Sequence, residues 1–301
     1  MGISQYIKEI GRGKQGARPL GREQAADLFG QLLDGGVSDL EVGAFCIAMR
    51  IKGETADEMA GFLDATHARL NKVSSASGKP VVVLPSYNGA RRLPVLTPLL
   101  AALAARAGAP VLIHGTATEN SRVFVRDVLQ ALDVQPAAAP PTLRDGQVAY
   151  VPTEVLSPGL KRLLDVRRVV GLRNSAHSLV KLMNPCSGPA VIVSSYTHPE
   201  YAISMGAVFE LTGATALLLR GTEGEVVADA RRLPQMEGFI AGQRTLLQEG
   251  RKGTLTDLPD LPKEVDVETT AGFIRDVLAG RKQIPDSMAL QVEHILHLAA
   301  P

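Results

Sequence analysis

From Ile3 to Leu70 the apolar residues recur at the three- and four-residue spacing of a single helix face. They fall into four groups: Tyr6, Ile7 and Ile10; Ala25, Leu28, Phe29, Leu32 and Leu33; Leu40, Val42, Phe45, Cys46 and Met49; and Met59, Phe62 and Leu63. The pattern predicts four helices, and the punctuation between them agrees. Gly35-Gly36 ends the second, Ser38 and Asp39 can cap the third, and Gly53 followed by Thr55, with Glu58 three residues on, reads as a stop and then a capping box.

Beyond the Ser/Gly-rich link 74–79 the period changes. Val81, Val82, Val83 and Leu84 form an unbroken apolar run, the type found in strands buried on both faces. Residues 96–107 then read as a helix, 110–114 as a strand and 122–132 as a helix, with further strands at 148–151, 190–194 and 214–219. Strands alternating with helices predict an α/β fold: a small helical N-terminal domain over 1–74, joined by part of 160–185, and a larger parallel-sheet α/β domain over 79–301.

Composition narrows the function. The chain has 301 residues, 45% of them hydrophobic, enough for a sizeable core, but no Trp and few other aromatics, which disfavours recognition by stacked bases. Cys46 and Cys186 lie far apart beside apolar residues, so neither a disulfide framework nor a zinc site is indicated, and a cytoplasmic setting is expected. The first sixteen residues have no apolar stretch like a signal peptide, and no run is long enough to span a bilayer, so no membrane partner is expected.

A net charge of +1 conceals a segregated distribution. No Asp or Glu occurs from Ala65 to Thr118, where Arg69, Lys72, Lys79, Arg91, Arg92 and Arg106 stand. From Val155 to Pro199, Lys161, Arg162, Arg167, Arg168, Arg173 and Lys181 face only Asp165, and the amino terminus adds Lys8, Arg12, Lys14, Arg18 and Arg22. Acids gather after Thr222. If the basic stretches converge they form a phosphate-binding strip, each contact releasing a counterion without reading sequence.

Three loops sit past the carboxyl ends of predicted strands, where open parallel sheets bind ligands. The first, 85–92, offers Ser86, Asn88 and Gly89 for backbone donation to a phosphate, with Arg91 or Arg92 adding charge; its Asn-Gly is equally an ordinary turn signal. The second begins at His114, which suits a phosphate, a ribose hydroxyl or a purely structural bond. The third, 220–225, places Glu223 and Glu225 as a pair that fits either a hard cation such as Mg²⁺ or turn chemistry. In 171–185, Arg173, Asn174, His177 and Lys181 recur every three or four residues and would share one helical face suited to phosphates. No Ser-His-Asp grouping, Walker loop or Cys-rich metal motif is present.

In this order of features the chain resembles the anthranilate phosphoribosyltransferases, which have a small helical domain, a larger α/β domain and a homodimer formed through the helices. Residues 171–185 match without a gap the family's G-x-R-T-x-F-N-x-L-G-P-L-x-N-P signature, retaining Gly171, Arg173, Leu179, Leu182, Asn184 and Pro185. The catalytic elements do not match. The enzymes' pyrophosphate cradle G-T-G-G-D is replaced by Pro85-Ser86-Tyr87-Asn88-Gly89. Of their K-H-G-N-R only His114 and Gly115 remain, and at most one carboxylate of their magnesium-binding D-E pair survives in register at Gly224-Glu225.

The substituted loops, Leu84-Pro85-Ser86-Tyr87-Asn88-Gly89-Ala90-Arg91, Arg173-Asn174-Ser175-Ala176-His177 and Arg220-Gly221-Thr222-Glu223-Gly224-Glu225, are similar to those of the YbiB branch of this family. That resemblance implies a DNA-binding homodimer without anthranilate transfer, needing no cofactor and carrying no catalytic residue. Its phosphate contacts would come from Lys72, Ser86, Asn88, Gly89, Arg91, Arg92, His114, Arg167, Arg168, Arg173, Asn174, His177 and Lys181, on DNA or RNA. The alternative is a transferase for a phosphoribosyl pyrophosphate-like substrate, with Glu223 or Glu225 on Mg²⁺.

Overall fold

Each amino-terminal helix forms where the apolar spacing places it, and the caps are those the sequence spells. The computed structural model describes every residue except Met1, Lys14, Glu119, Asn120 and Pro301, so Lys14 of the basic amino terminus and Glu119 of the second loop lie outside the described residues. In chain order the elements are α1 (Ser4–Ile10), α2 (Arg22–Asp34), α3 (Asp39–Lys52), α4 (Ala56–His67), β1 (Ser74–Ser75), β2 (Val81–Ser86), α5 (Thr97–Arg106), β3 (Val111–Gly115), α6 (Val125–Ala131), β4 (Thr142–Leu143), β5 (Val148–Pro152), α7 (Thr153–Leu156), α8 (Pro158–Val170), α9 (Ala176–Leu179), β6 (Ala190–Tyr196), α10 (Pro199–Thr212), β7 (Ala216–Arg220), β8 (Met236–Ile240), β9 (Gln243–Gln248), α11 (Val267–Leu278) and α12 (Asp286–Leu298). No helix among them is long and apolar enough to cross a membrane.

The chain divides into two compact units, one of Met1–Asn71 with Thr153–Pro185, the other of Lys72–Pro152 with Cys186–Pro301. The segment that rejoins the helical unit thus begins at Thr153, ahead of the 160–185 stretch expected to do so.

In the helical unit α2 packs on α4. Phe29 and Phe62 stack at 4.6 Å between centroids, and Phe45 meets both edge-on. Ser38 and Glu41 close a capping box on α3, and Thr55 and Glu58 close another on α4. Glu58 is fully buried, and its charge is matched by Lys52 Nζ at 2.6 Å and by the backbone N–H groups of Leu20 and Thr55, both at 2.9 Å. Helix α8 starts with Ser157 Oγ accepting from Leu160 N and stops at Gly171, whose φ of +75° ends it in the left-handed conformation.

The second unit holds a seven-stranded sheet in the order β5-β3-β2-β6-β7-β8-β9, in which the first five strands run parallel and β8 and β9 are antiparallel. All six residues of β2 are buried, as an apolar run at the centre of a parallel sheet requires. The β8–β9 hairpin had no counterpart in the sequence reading. Its turn residues Ala241 and Gly242 both have positive φ, +49° and +79°.

Candidate functional site

The parallel strands β2, β3, β6 and β7 are neighbours, and the loops leaving their carboxyl ends are laced together by hydrogen bonds. In register, Pro85 lies opposite His114, Ser86 opposite Gly115, and Tyr196 opposite Arg220. The chain leaving β7 turns back over the chain leaving β2. That turn depends on Gly224, at φ +88°, where a Cβ would fall 1.6 Å from Asn88 Nδ2, so only glycine fits. Its neighbour Glu223 also has positive φ, +52°, a conformation rare outside glycine. Ser195 Oγ pins the turn by donating to the Gly224 carbonyl at 3.0 Å, and Asn88 Nδ2 does so by donating to the Glu223 carbonyl at 3.1 Å.

This turn presents two carboxylates to the 88–93 backbone. The N–H groups of Asn88 and Gly89 each donate to Glu225 Oε1 at 2.8 Å, and Thr97 Oγ1 donates to Oε2 at 3.1 Å. The N–H groups of Arg91, Arg92 and Leu93 converge on Glu223 Oε2 at 2.9, 3.0 and 3.2 Å. Backbone N–H groups converging on one point form an anion-binding concavity. Here both concavities hold the chain's own carboxylates. Burial works to raise the Glu223 pKa, but the three N–H donors, with Arg122 nearby, outweigh it and hold the carboxyl below its usual range. The cavity lined by Gly89, Leu93, Glu223, Glu225 and Asp229 measures about 20 Å³, room for one water.

These contacts alter three readings of the sequence. Asn88 and Gly89 do turn their N–H groups toward an anion, but the anion is Glu225. Glu223 and Glu225 serve as acceptors for N–H and O–H donors rather than as a cation clamp, and no group of three or more His, Cys, Asp or Glu among the described residues is placed to hold a metal. A magnesium pyrophosphate does not fit this donor set. His114 is fully buried, with Nδ1 at 2.8 Å from the Tyr87 hydroxyl and Nε2 without a hydrogen-bond partner. Burial pushes its pKa down to about 3, so the ring is neutral and structural and cannot reach a phosphate or ribose. Ser86 is buried at the end of β2, while Arg91, Arg92 and Lys72 are exposed.

In the helical unit, the expected single helix face over 171–185 does not form. Only Ala176–Leu179 is helical. Asn174 is buried, with Nδ2 donating to the Leu163 carbonyl at 2.7 Å and Oδ1 accepting from Ala176 N at 3.1 Å, so its side chain folds the chain back where a helix would continue. Ser175 Oγ donates to Glu54 at 2.5 Å. His177 is held at a pKa of about 4 by burial and by the nearby Arg173 and Arg167. Arg168 is ion-paired with Asp165 at 3.3 Å, and Lys181 is half-buried. Burial pushes the Cys46 thiol up to about 11 despite a bond from Asn174, and the Cys186 thiol up to about 12.

Thr97 and Ser195 complete the loop cluster and were not among the site residues expected from sequence. Thr97 stands directly before Pro98 at the start of α5, where a hydroxyl is ordinary, so nothing local marked it.

A glycosyl transferase helical bundle domain matches residues 4–69. The uncharacterised protein YbiB of Escherichia coli (strain K12) is 40% identical over 298 residues, covering 97% of this chain and 92% of YbiB. An anthranilate phosphoribosyltransferase of Methanopyrus kandleri is 28% identical, with 87% of this chain and 80% of the enzyme covered. Among solved structures, the anthranilate phosphoribosyltransferase of Thermus thermophilus superposes with a TM-score of 0.78 at 24% identity, over 98% of this chain and 89% of that one. The Saccharomyces cerevisiae enzyme in complex with PRPP and Mg superposes with a TM-score of 0.69 at 13% identity, over 99% and 88%. These superpositions establish the fold.

Proposed function

Because the chain belongs to the anthranilate phosphoribosyltransferase-like glycosyltransferase family, as a YbiB-type member, we propose that it has kept the family's scaffold while binding nucleic acid, DNA or RNA, through phosphates and without sequence preference. The observation that carries this reading is the pairing of a carboxylate-filled cradle with exposed guanidiniums beside it. Glu225 is buried and holds the donors that a pyrophosphate would need. Arg91 and Arg92 face solvent and meet a phosphate from outside. Lys72, also exposed, lies in the same acid-free stretch of sequence.

A homodimer fits the same reading. On α3, Leu40, Ile47 and Ile51 are exposed at helical spacing, 84%, 38% and 60% accessible, a larger apolar strip than a lone surface helix needs. Gly43 lies between them with open space at its Cβ position, which leaves the strip flat enough for a second copy.

Fluorescence anisotropy with single- and double-stranded DNA of several sequences tests the proposal. Binding should be equal across sequences, with the logarithm of affinity falling linearly with the logarithm of salt. Replacing Arg91 and Arg92 together by Ala should weaken every sequence equally and flatten the salt slope by about 1 to 2. No binding at low salt, or heat from phosphoribosyl pyrophosphate with Mg²⁺ in a calorimeter, would favour the transferase instead.

A further inference from the structure

The two carboxylates of the 223–225 turn are held in different ways. Glu225 is 3% exposed, and its donors include the buried Thr97 hydroxyl. Glu223 is only partly buried, and its three donors belong to a loop whose side chains, Arg91 and Arg92, point to solvent. The Glu223 backbone is fixed independently of its carboxylate, through Asn88 Nδ2 on its carbonyl and Ser195 on the next. The carboxylate can therefore leave by side-chain rotation while the turn stays in place. Its departure would expose three convergent N–H groups near the Arg122 guanidinium, on a loop whose Arg91 and Arg92 side chains are exposed.

We infer that Glu223 is an exchangeable stand-in for a phosphoryl group. The concavity made by Arg91, Arg92 and Leu93 is a phosphate site that this side chain covers, and a nucleic-acid phosphate takes it by displacing Glu223. The ligand's identity rests on the nucleic-acid reading above. The chemistry of the site does not, since convergent N–H groups with an adjacent guanidinium suit any phosphoryl oxygen. Glu225 does not exchange, so the deeper half of the cradle stays closed and one phosphate is accommodated rather than a pyrophosphate bridging both halves. The covering side chain lowers affinity, because each binding event must first break three charge-assisted bonds.

The test uses the full chain with Glu223→Ala and with Glu223→Gly, the second suited to the φ of +52°. Glu249→Ala removes the same charge from an exposed acid that accepts none of these bonds and controls for net charge. Calorimetry with inorganic phosphate should show both Glu223 variants binding about tenfold more tightly than wild type and the control unchanged. Anisotropy with a short single-stranded DNA should show the same order. Equal phosphate affinity in wild type and in a Glu223 variant with a wild-type melting temperature overturns the inference, as does an equal gain in the control. A gain for phosphate without any gain for DNA upholds the covered site and removes nucleic acid as its ligand. Absence of DNA binding by every form would sink the proposed function and leave the phosphate result to decide the site.

Discussion

The loop at 88–93 and the segment at 171–185 both carry residue types that hold phosphate, yet the fold uses them in opposite ways. Past the carboxyl end of β2 five backbone N–H groups are matched by two internal carboxylates, and the charged side chains of Arg91 and Arg92 are left outside. In the 171–185 segment the polar side chain turns inward. Asn174 is consumed by Leu163 and Ala176, while burial, with Arg173 and Arg167 nearby, suppresses the protonation of His177, and the sequence from Val166 to Pro199 contains no acid. One region closes its backbone donors with carboxylates from a distant part of the chain, and the other spends its polar side chain on its own backbone. Residue type alone does not locate an anion; what decides is whether the donors already have a partner.

The sharpest way to break this comparison is to remove the closing carboxylates one at a time. Glu225→Leu strands two buried N–H groups and the Thr97 hydroxyl in a site with room for a single water, and should lower unfolding free energy by about 4 kcal/mol. Glu223→Leu frees donors that lie near solvent and can hydrate, and should cost only about 1 kcal/mol. Chemical denaturation of both variants measures the difference. Equal costs would mean that the turn is not divided into a fixed and an exchangeable half.

Acid titration sets the two regions against each other through their histidines. His114 and His177 are held neutral, with pKa values of about 3 and about 4, against an ordinary value near 6.5 when unfolded. Between those limits the unfolded chain binds protons that the folded chain does not, so stability falls as pH drops and is recovered as pH rises through about 6.5. Each histidine should contribute a loss of about 2 kcal/mol between about pH 7 and about pH 5. His114→Phe should flatten the curve by its share. The depressed Glu223 carboxyl acts in the same direction only at lower pH, its contribution being present above the usual carboxylate range and lost as pH falls through the folded value. An unchanged slope in His114→Phe would show that burial in the sheet does not hold that ring neutral.

Local chemistry made much of the fold readable in advance. Ser38, and Thr55 with Glu58, announce helix starts because capping is settled within four residues, and the valine run announces a central strand because both of its faces need apolar cover. The β8–β9 hairpin escaped because Ala241 takes a positive φ where Asn or Asp would have signalled the turn. The candidate site was half readable. Its loops stand past the carboxyl ends of strands as topology demands, but the pairing of Asn88 and Gly89 with Glu225 joins residues 137 and 136 positions apart, and no local pattern records it. The helix expected over 171–185 failed for a local reason. Asn174, placed at a helical interval from His177, uses its side chain to satisfy backbone groups and so replaces the helix that its spacing would extend.

That replacement supplies the smallest of the expected effects and the finest probe of the comparison. If Asn174 is a structural pin rather than a phosphate contact, Asn174→Ala should destabilise the protein by about 1 to 2 kcal/mol, since Ala176 N loses its acceptor while the carbonyl of Leu163, within α8, loses only its second donor. The Cys46 thiol, which also loses its bond from Asn174, should titrate higher still than about 11 and become slower to alkylate. DNA affinity, measured well below the melting temperature, should not change. A large loss of affinity with wild-type stability would reverse the assignment, placing Asn174 on the ligand and making 171–185 resemble the 88–93 loop in function after all.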